Sequence, residues 1–226
     1  MSKFMNESEA REMICEVGRR AYNRNFVAAN DGNISVKVAP DEIITTPTGV
    51  SKGYMTADMM VKIDLSGKVL EGSSVPSSEV KMHLRVYREN PEVNAVVHAH
   101  PPIATSFAIA GVPLDLPIYP EAVVSLGVVP LAPYATPGSE GVPDSITPFC
   151  KTHNAVLLAN HGALTWGNDL MQAYLRMESL EHFALITTYT TKILNNYYEL
   201  THAQILELVA IREKMGTIAG GIPGLK

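Results

Sequence analysis

The run Asn94-Ala95-Val96-Val97-His98-Ala99-His100 constrains this chain more than any other stretch. Strand side chains alternate between two faces, so an apolar run ending in His-x-His reads as a buried strand whose two histidines share one face. Two imidazoles side by side at a strand end, followed at once by Pro101-Pro102, make half of a metal site. The other half must come from elsewhere. A second apolar run, Ala155-Val156-Leu157-Leu158-Ala159-Asn160-His161-Gly162, ends in a third histidine and a glycine that permits a sharp turn. Glu79 opens a helix just before the first strand. Three histidines with a carboxylate nearby suit a catalytic Zn²⁺ or a similar divalent ion. A single strand-end histidine reads equally well as a hydrogen-bonded structural residue. His83, His153, His182 and His202 lack such company and are read as structural or solvated.

Composition narrows the classes of function. At 226 residues the chain fits one domain, 1–226, with a sizeable core. A formal net charge of −5 offers no basic face for nucleic acid. Residues 1–20 are polar and charged without the apolar stretch of a signal peptide, and no apolar run approaches membrane-spanning length. Cys15 and Cys150, far apart and in no metal or redox spacing, read as reduced core thiols. The expectation is a cytoplasmic protein with no membrane and no nucleic-acid partner.

Along the chain, Met13, Ile14, Val17 and Ala21 give an amphipathic helix over about 7–23. The turn Asp31-Gly32-Asn33 leads into an alternating strand. Strands over 42–46 and 60–64 follow, and their tight turns imply antiparallel pairing. Pro76-Ser77-Ser78-Glu79 starts a helix that Asn90-Pro91 stops. A serine pair at a helix start reads as a cap, and such a start also favours an anion such as phosphate. A short helix over 103–110, a loop and strand region over 116–133 containing Tyr119, and a short helix over 145–153 come next. After the His161 strand, a long helix runs from about 169 to 195 and a last helix from 201 to 215. The Gly/Pro-rich tail, about 216–226, is expected to be flexible.

Taken in order, Gly-Asn-Ile-Ser at 32–35, Thr-Pro-Thr-Gly at 46–49, Ser-Ser-Glu at 77–79, Val-Val-His-Ala-His at 96–100, Ala-Pro-Tyr at 132–134 and Asn-His-Gly at 160–162 resemble one family. It is the class II, metal-dependent aldolases of the fuculose-phosphate aldolase and ribulose-phosphate 4-epimerase superfamily, and the similarity covers nearly the whole chain. The resemblance implies an α/β fold of three layers, α/β/α, around a mostly antiparallel central sheet, in a homotetramer with active sites between subunits. It implies one divalent ion per subunit, Zn²⁺ or else Mn²⁺ or Co²⁺, on His98, His100 and His161. Glu79 matches the carboxylate that binds the resting metal and serves as acid and base. Gly32 with Asn33, Thr48 with Gly49, and Ser77 with Ser78 match the pieces that hold a substrate phosphate. Tyr119 falls, by its spacing from the His-x-His pair, where a tyrosine reaches a neighbouring subunit's site to donate or accept a proton.

The implied reaction is retro-aldol cleavage of a phosphorylated ketose, a ketose 1-phosphate, to dihydroxyacetone phosphate and an aldehyde. A metal Lewis acid would stabilise the enediolate charge. An apolar aldehyde half would suit fuculose 1-phosphate or 5-deoxyribulose 1-phosphate. Epimerases of this superfamily carry an aspartate where Glu79 stands, so the glutamate favours cleavage. Methylthioribulose-phosphate dehydratases share the glutamate and the three histidines and are the main enzyme alternative; Tyr119 favours the aldolase. Non-catalytic adducin-type domains share the fold but lack the full ligand set.

Overall fold

A computed structural model describes residues 4–217 and 219–224. Eight strands form one sheet: β1 (Asn33–Ala39), β2 (Glu42–Thr45), β3 (Val61–Ile63), β4 (Val69–Glu71), β5 (Ala95–Ala99), β6 (Leu131–Ala132), β7 (Ala155–Leu158) and β8 (Gly162–Gly167). Their order is β4-β3-β2-β1-β5-β8-β7-β6. Every pairing is antiparallel except β6 with β7, as expected for a mostly antiparallel sheet.

The helices are α1 (Glu7–Asn23), α2 (Val80–Glu89), α3 (Pro102–Ala110), α4 (Pro120–Ser125), α5 (Gly141–Ile146), α6 (Leu170–Thr188) and α7 (His202–Lys214). Strand alternation sorts the core into two halves. Ile34, Val36, Ile44, Val97 and Leu157 face α1, α3 and α6. Ile43, Val61, Val96, Val156, Leu164 and Trp166 face α2 and α5. The result is the three-layer α/β/α arrangement.

Local chemistry fixes the element ends that matter for the site. In α1, the Asn6 side chain accepts from the Ser8 amide, and Glu7 and Glu9 lie in the first turn, where the helix dipole favours negative charge. The start of α3 is held from a distance: the Glu181 carboxylate on α6 accepts from the amides of Ile103 and Ala104 at 2.9 and 2.8 Å. That clamp sets the path of the chain immediately after His100.

The structure departs from the sequence expectations in several places. The helix expected over 145–153 begins instead at Gly141 and gives way to a single 3₁₀ turn, Thr147–Phe149. The long helix leaves α geometry after Thr188 and closes in a π-helical turn, Tyr189–Ile193. Hydrogen bonds also run between the tail and the body. Gly220 N donates to Thr152 O at 2.8 Å and Gly220 O accepts from Val128 N at 2.6 Å. Arg212 Nη2 donates to Gly221 O at 2.7 Å and Asn154 Nδ2 to Ala219 O at 2.8 Å. Glycines here mark close backbone approach rather than freedom. Residues 218, 225 and 226 of that tail lie outside the described residues.

Candidate active site

β5 and β8 run antiparallel with His98 opposite Leu164, and β1 lies on the other side of β5 with Asn33 opposite His98. His98 therefore points to the α2 face of the sheet, where Glu79 stands at the N-cap of α2. His161 sits in the three-residue connection between the Leu158 and Gly162 pair that closes β7 against β8. Asn160 there takes a φ of 57°, a left-handed conformation that asparagine tolerates. Gly162 has another reason to be glycine than the turn expected from the sequence. A Cβ at that position would lie 2.5 Å from the His100 ring and 2.7 Å from Ala99 O, so the bare backbone lets the imidazole pack over it.

The three histidines converge. His98 Nε2 and His100 Nε2 are 3.1 Å apart, and each pair of rings lies 4.7 to 5.1 Å apart between centroids. One nitrogen from each of His98, His100 and His161 falls within 4.8 Å of the others. Glu79 closes the cluster, with Oε1 3.1 Å from His161 Nε2 and Oε2 3.6 Å from His98 Nε2.

The donor set suits a divalent cation. His98 Nδ1 lies 2.9 Å from Ala163 O, which makes Nδ1 the protonated nitrogen and leaves Nε2 free as a ligand. Burial holds His98 well below the ordinary imidazole value and His100 below it too, in the neutral form that metals bind. Burial works to raise the Glu79 carboxyl, but the hydrogen bond to His161 and the surrounding imidazoles of His98, His161 and His100 outweigh it and bring Glu79 down to about 2. A carboxylate buried among imidazoles calls for positive charge at the centre of the cluster, and a cation supplies it.

The phosphate-binding candidates gather beside Glu79. Asn33 Nδ2 donates to Glu79 Oε2 at 3.1 Å and to Ser77 Oγ at 3.2 Å. The Thr46–Thr48 segment pairs with Val75–Ser77: Pro47 bridges Pro76, Ser77 N donates to Thr46 O, and Thr48 N donates to Val75 O. Thr48 and Gly49 are exposed beside the Ser77-Ser78 helix start, and Ser78 lies near Gly138. Gly32 is buried with a φ of 75°, and a Cβ there would meet Val27 Cγ1 at 2.7 Å and His98 O at 2.8 Å. Gly32→Ala is accordingly expected to cost about 2–4 kcal/mol through left-handed strain and overpacking. Scanning calorimetry would show the melting temperature falling by roughly 5–15 °C. An unchanged melting point would mean that the loop moves freely off β5.

Tyr119 stands apart. It caps α4, and its ring rests on His182 and Phe183 of α6 at centroid distances of 6.0 and 6.4 Å. It makes no hydrogen bond or ring contact with the histidine cluster of its own chain. Two clefts of about 610 and 550 Å³, one between α3 and α6 and one at the opposite end of β5 and β8, contain none of the cluster's residues.

Asp31, Ser35 and Tyr87, assigned no role at the site from the sequence, lie around it, together with His83, read from the sequence as structural or solvated. Asp31 Oδ2 lies 3.4 Å from His100 Nδ1 and orients the ring. Behind Glu79, the fully buried His83 and Tyr87 share Ser35 Oγ at 2.7 and 2.8 Å. Burial pushes His83 down to about 3, so it stays neutral. The spacing 79, 83, 87 on one helix was visible in the sequence and puts all three on one face.

With this geometry in hand, comparison with known proteins decides the family. Residues 12–188 match the family model for the class II aldolase and adducin N-terminal domain. The chain belongs to that family. It is 33% identical over 185 residues to 3-oxo-tetronate 4-phosphate decarboxylase of Haemophilus influenzae, covering 80% of this chain and 87% of the relative. It is 32% identical over 177 residues to L-fuculose phosphate aldolase of Methanocaldococcus jannaschii, covering 78% and 94%. Among solved structures, an L-fuculose 1-phosphate aldolase superposes with a TM-score of 0.84 at 28% identity, covering 96% of this chain and all of the other. The chain is thus an enzyme of the class II aldolase superfamily, whose catalytic members include metal-dependent lyases that act on phosphorylated sugars. No helix among the described residues is long and apolar enough to cross a membrane.

Proposed function

We propose that this class II aldolase-family enzyme cleaves a ketose 1-phosphate, such as fuculose 1-phosphate or 5-deoxyribulose 1-phosphate, into dihydroxyacetone phosphate and an aldehyde. The observation that carries this reading is the convergence of three imidazoles and Glu79, with Asn33 joining Glu79 to Ser77. His98, His100 and His161 would hold the divalent ion, with Zn²⁺ as first choice and Mn²⁺ or Co²⁺ compatible. When bound, the ion supplies Lewis acidity that stabilises negative charge on the substrate's oxygens.

The chain's own residues do the rest. The Ser77-Ser78 helix start, Thr48-Gly49 and Gly32-Asn33 would dock the phosphate and so fix the reacting carbons beside Glu79. Breaking the C3–C4 bond leaves its electron pair on the C2–C3 enediolate. Glu79, a carboxylate at rest, takes up a proton from water and delivers it to C3 to complete dihydroxyacetone phosphate. The proton of the C4 hydroxyl needs an acceptor, and Tyr119 from a neighbouring subunit is assigned that role within a homotetramer. The absence of any contact between Tyr119 and the histidine cluster of its own chain favours that arrangement. The enzyme is read as cytoplasmic.

A second reading follows from the decarboxylase relative. A 3-oxo-tetronate 4-phosphate is a β-keto acid: loss of its C1 carboxylate as CO₂ leaves electrons on C2–C3. Protonation again yields dihydroxyacetone phosphate. The same Glu79 and phosphate cradle serve both reactions, and only the leaving electrophile differs. Aldol cleavage requires a group to take the hydroxyl proton, whereas decarboxylation does not. Tyr119→Phe is therefore expected to slow aldol cleavage by about 10²–10⁴-fold, with little change in KM, and to leave decarboxylation nearly untouched. Steady-state kinetics of the variant on both substrate types checks this; equal losses on both would remove Tyr119's assigned role.

A further inference from the structure

Lys52 lies in a single 3₁₀ turn, Lys52–Tyr54, just beyond the Thr48-Gly49 loop. Only 2% of it is exposed, although lysine is almost never fully buried unless paired. No described carboxylate comes within ion-pair distance of it. Its Nζ instead donates to Asn30 O and Val50 O, each at 2.8 Å. Asn30 precedes Asp31-Gly32-Asn33, and Val50 follows Thr48-Gly49. One ammonium thus ties together the two loops from which the phosphate-binding candidates come.

The burial is built by close packing. Gly18 of α1 lies so near the turn that a Cβ there would come within 2.5 Å of Lys52 O. Desolvation pushes the ammonium down to about 8, while the charges of Asp31 and Glu79 pull it upward. The cation is therefore close enough to feel both carboxylates of the site but neutralised by neither. A buried cation held by dipoles alone is relieved when an anion docks in front of it.

We propose that Lys52 is a positioning residue for the substrate's phosphate, its buried ammonium locking the 30–33 and 48–50 loops into one cradle and placing positive charge behind it. This rests on the phosphate-binding role proposed for those loops. Neither a catalytic contact nor a covalent step is involved.

The test is calorimetric titration of metal-loaded protein with inorganic phosphate, for wild type, Lys52→Met, Lys52→Gln and Ser77→Ala. Both Lys52 variants should bind phosphate about 10–100-fold more weakly, the loss of one charge-assisted interaction. Their metal content should match wild type, and on the preferred sugar phosphate KM should rise far more than kcat falls. A lysine that merely fills the core would lower thermal stability without that split. Wild-type affinity in a folded Lys52 variant would overturn the proposal. If Ser77→Ala alone loses affinity, the phosphate cradle stands and only the role of Lys52 falls. If wild type binds no phosphate and turns over the unphosphorylated ketose equally well, the cradle itself fails and Lys52 with it. Should neither Lys52 variant fold, wild type labelled with ¹³C-lysine decides. The Lys52 Cε resonance should shift on saturation with phosphate, and a static signal would overturn the proposal.

Discussion

His98→Ala is expected to leave the chain folded and strip it of its divalent ion. His98 supplies the most deeply buried of the three imidazoles, held by Ala163 O on one side and flanked by His100, His161 and Glu79 on the other. Removing it leaves two histidines, too few for a site that needs three protein nitrogens. The Lewis acidity lost is worth several kcal/mol of charge stabilisation, so turnover should fall by about 10³-fold or more. Circular dichroism should be unchanged, and elemental analysis after dialysis should find little metal. A variant that stays fully loaded would show that the ion is held elsewhere.

Glu79→Gln should separate metal binding from proton transfer. Glutamine keeps the size and one oxygen acceptor, so Asn33 retains a partner, and the three imidazoles are untouched. The fold and most of the metal should survive. Glutamine has no proton to exchange at the reacting carbon, so kcat should drop by about 10²–10⁴-fold while KM moves little. Near-wild-type turnover in that variant would end the acid–base role of Glu79 and point to Asp31 or Tyr119.

Much of this architecture was legible because the strands are buried on both faces and bounded by strong stops. Residues 95–97 and 155–159 are continuous apolar runs, and their ends place His98, His100 and His161 without any knowledge of register. Glu79 was readable from the Ser-Ser-Glu helix start. What escaped has a common cause: it depends on contacts between segments distant in sequence. β4, with all three residues exposed, carries no apolar pattern at all. β8, Gly162–Gly167, begins at the glycine that looked like the end of an element. The role of Gly162 depends on the His100 ring, 62 residues earlier in the chain. No local pattern singles out Lys52, and only the packing of α1 over it reveals a buried cation. The tail's hydrogen bonds to Thr152, Val128 and Arg212 are likewise contacts that composition cannot register.

Product analysis of the metal-loaded protein is the most direct test of the central claim. A panel of ketose 1-phosphates, with 3-oxo-tetronate 4-phosphate alongside, would be incubated and dihydroxyacetone phosphate followed by a coupled assay. The account predicts dihydroxyacetone phosphate together with an aldehyde from a deoxy-ketose 1-phosphate, abolished by chelation and by Glu79→Gln. Release of CO₂ from the keto acid alone would keep the site and the enediolate but replace the aldolase by a decarboxylase. Phosphate retained on a dehydrated or epimerised sugar, with no dihydroxyacetone phosphate from any substrate, would contradict the carbon–carbon cleavage proposed here.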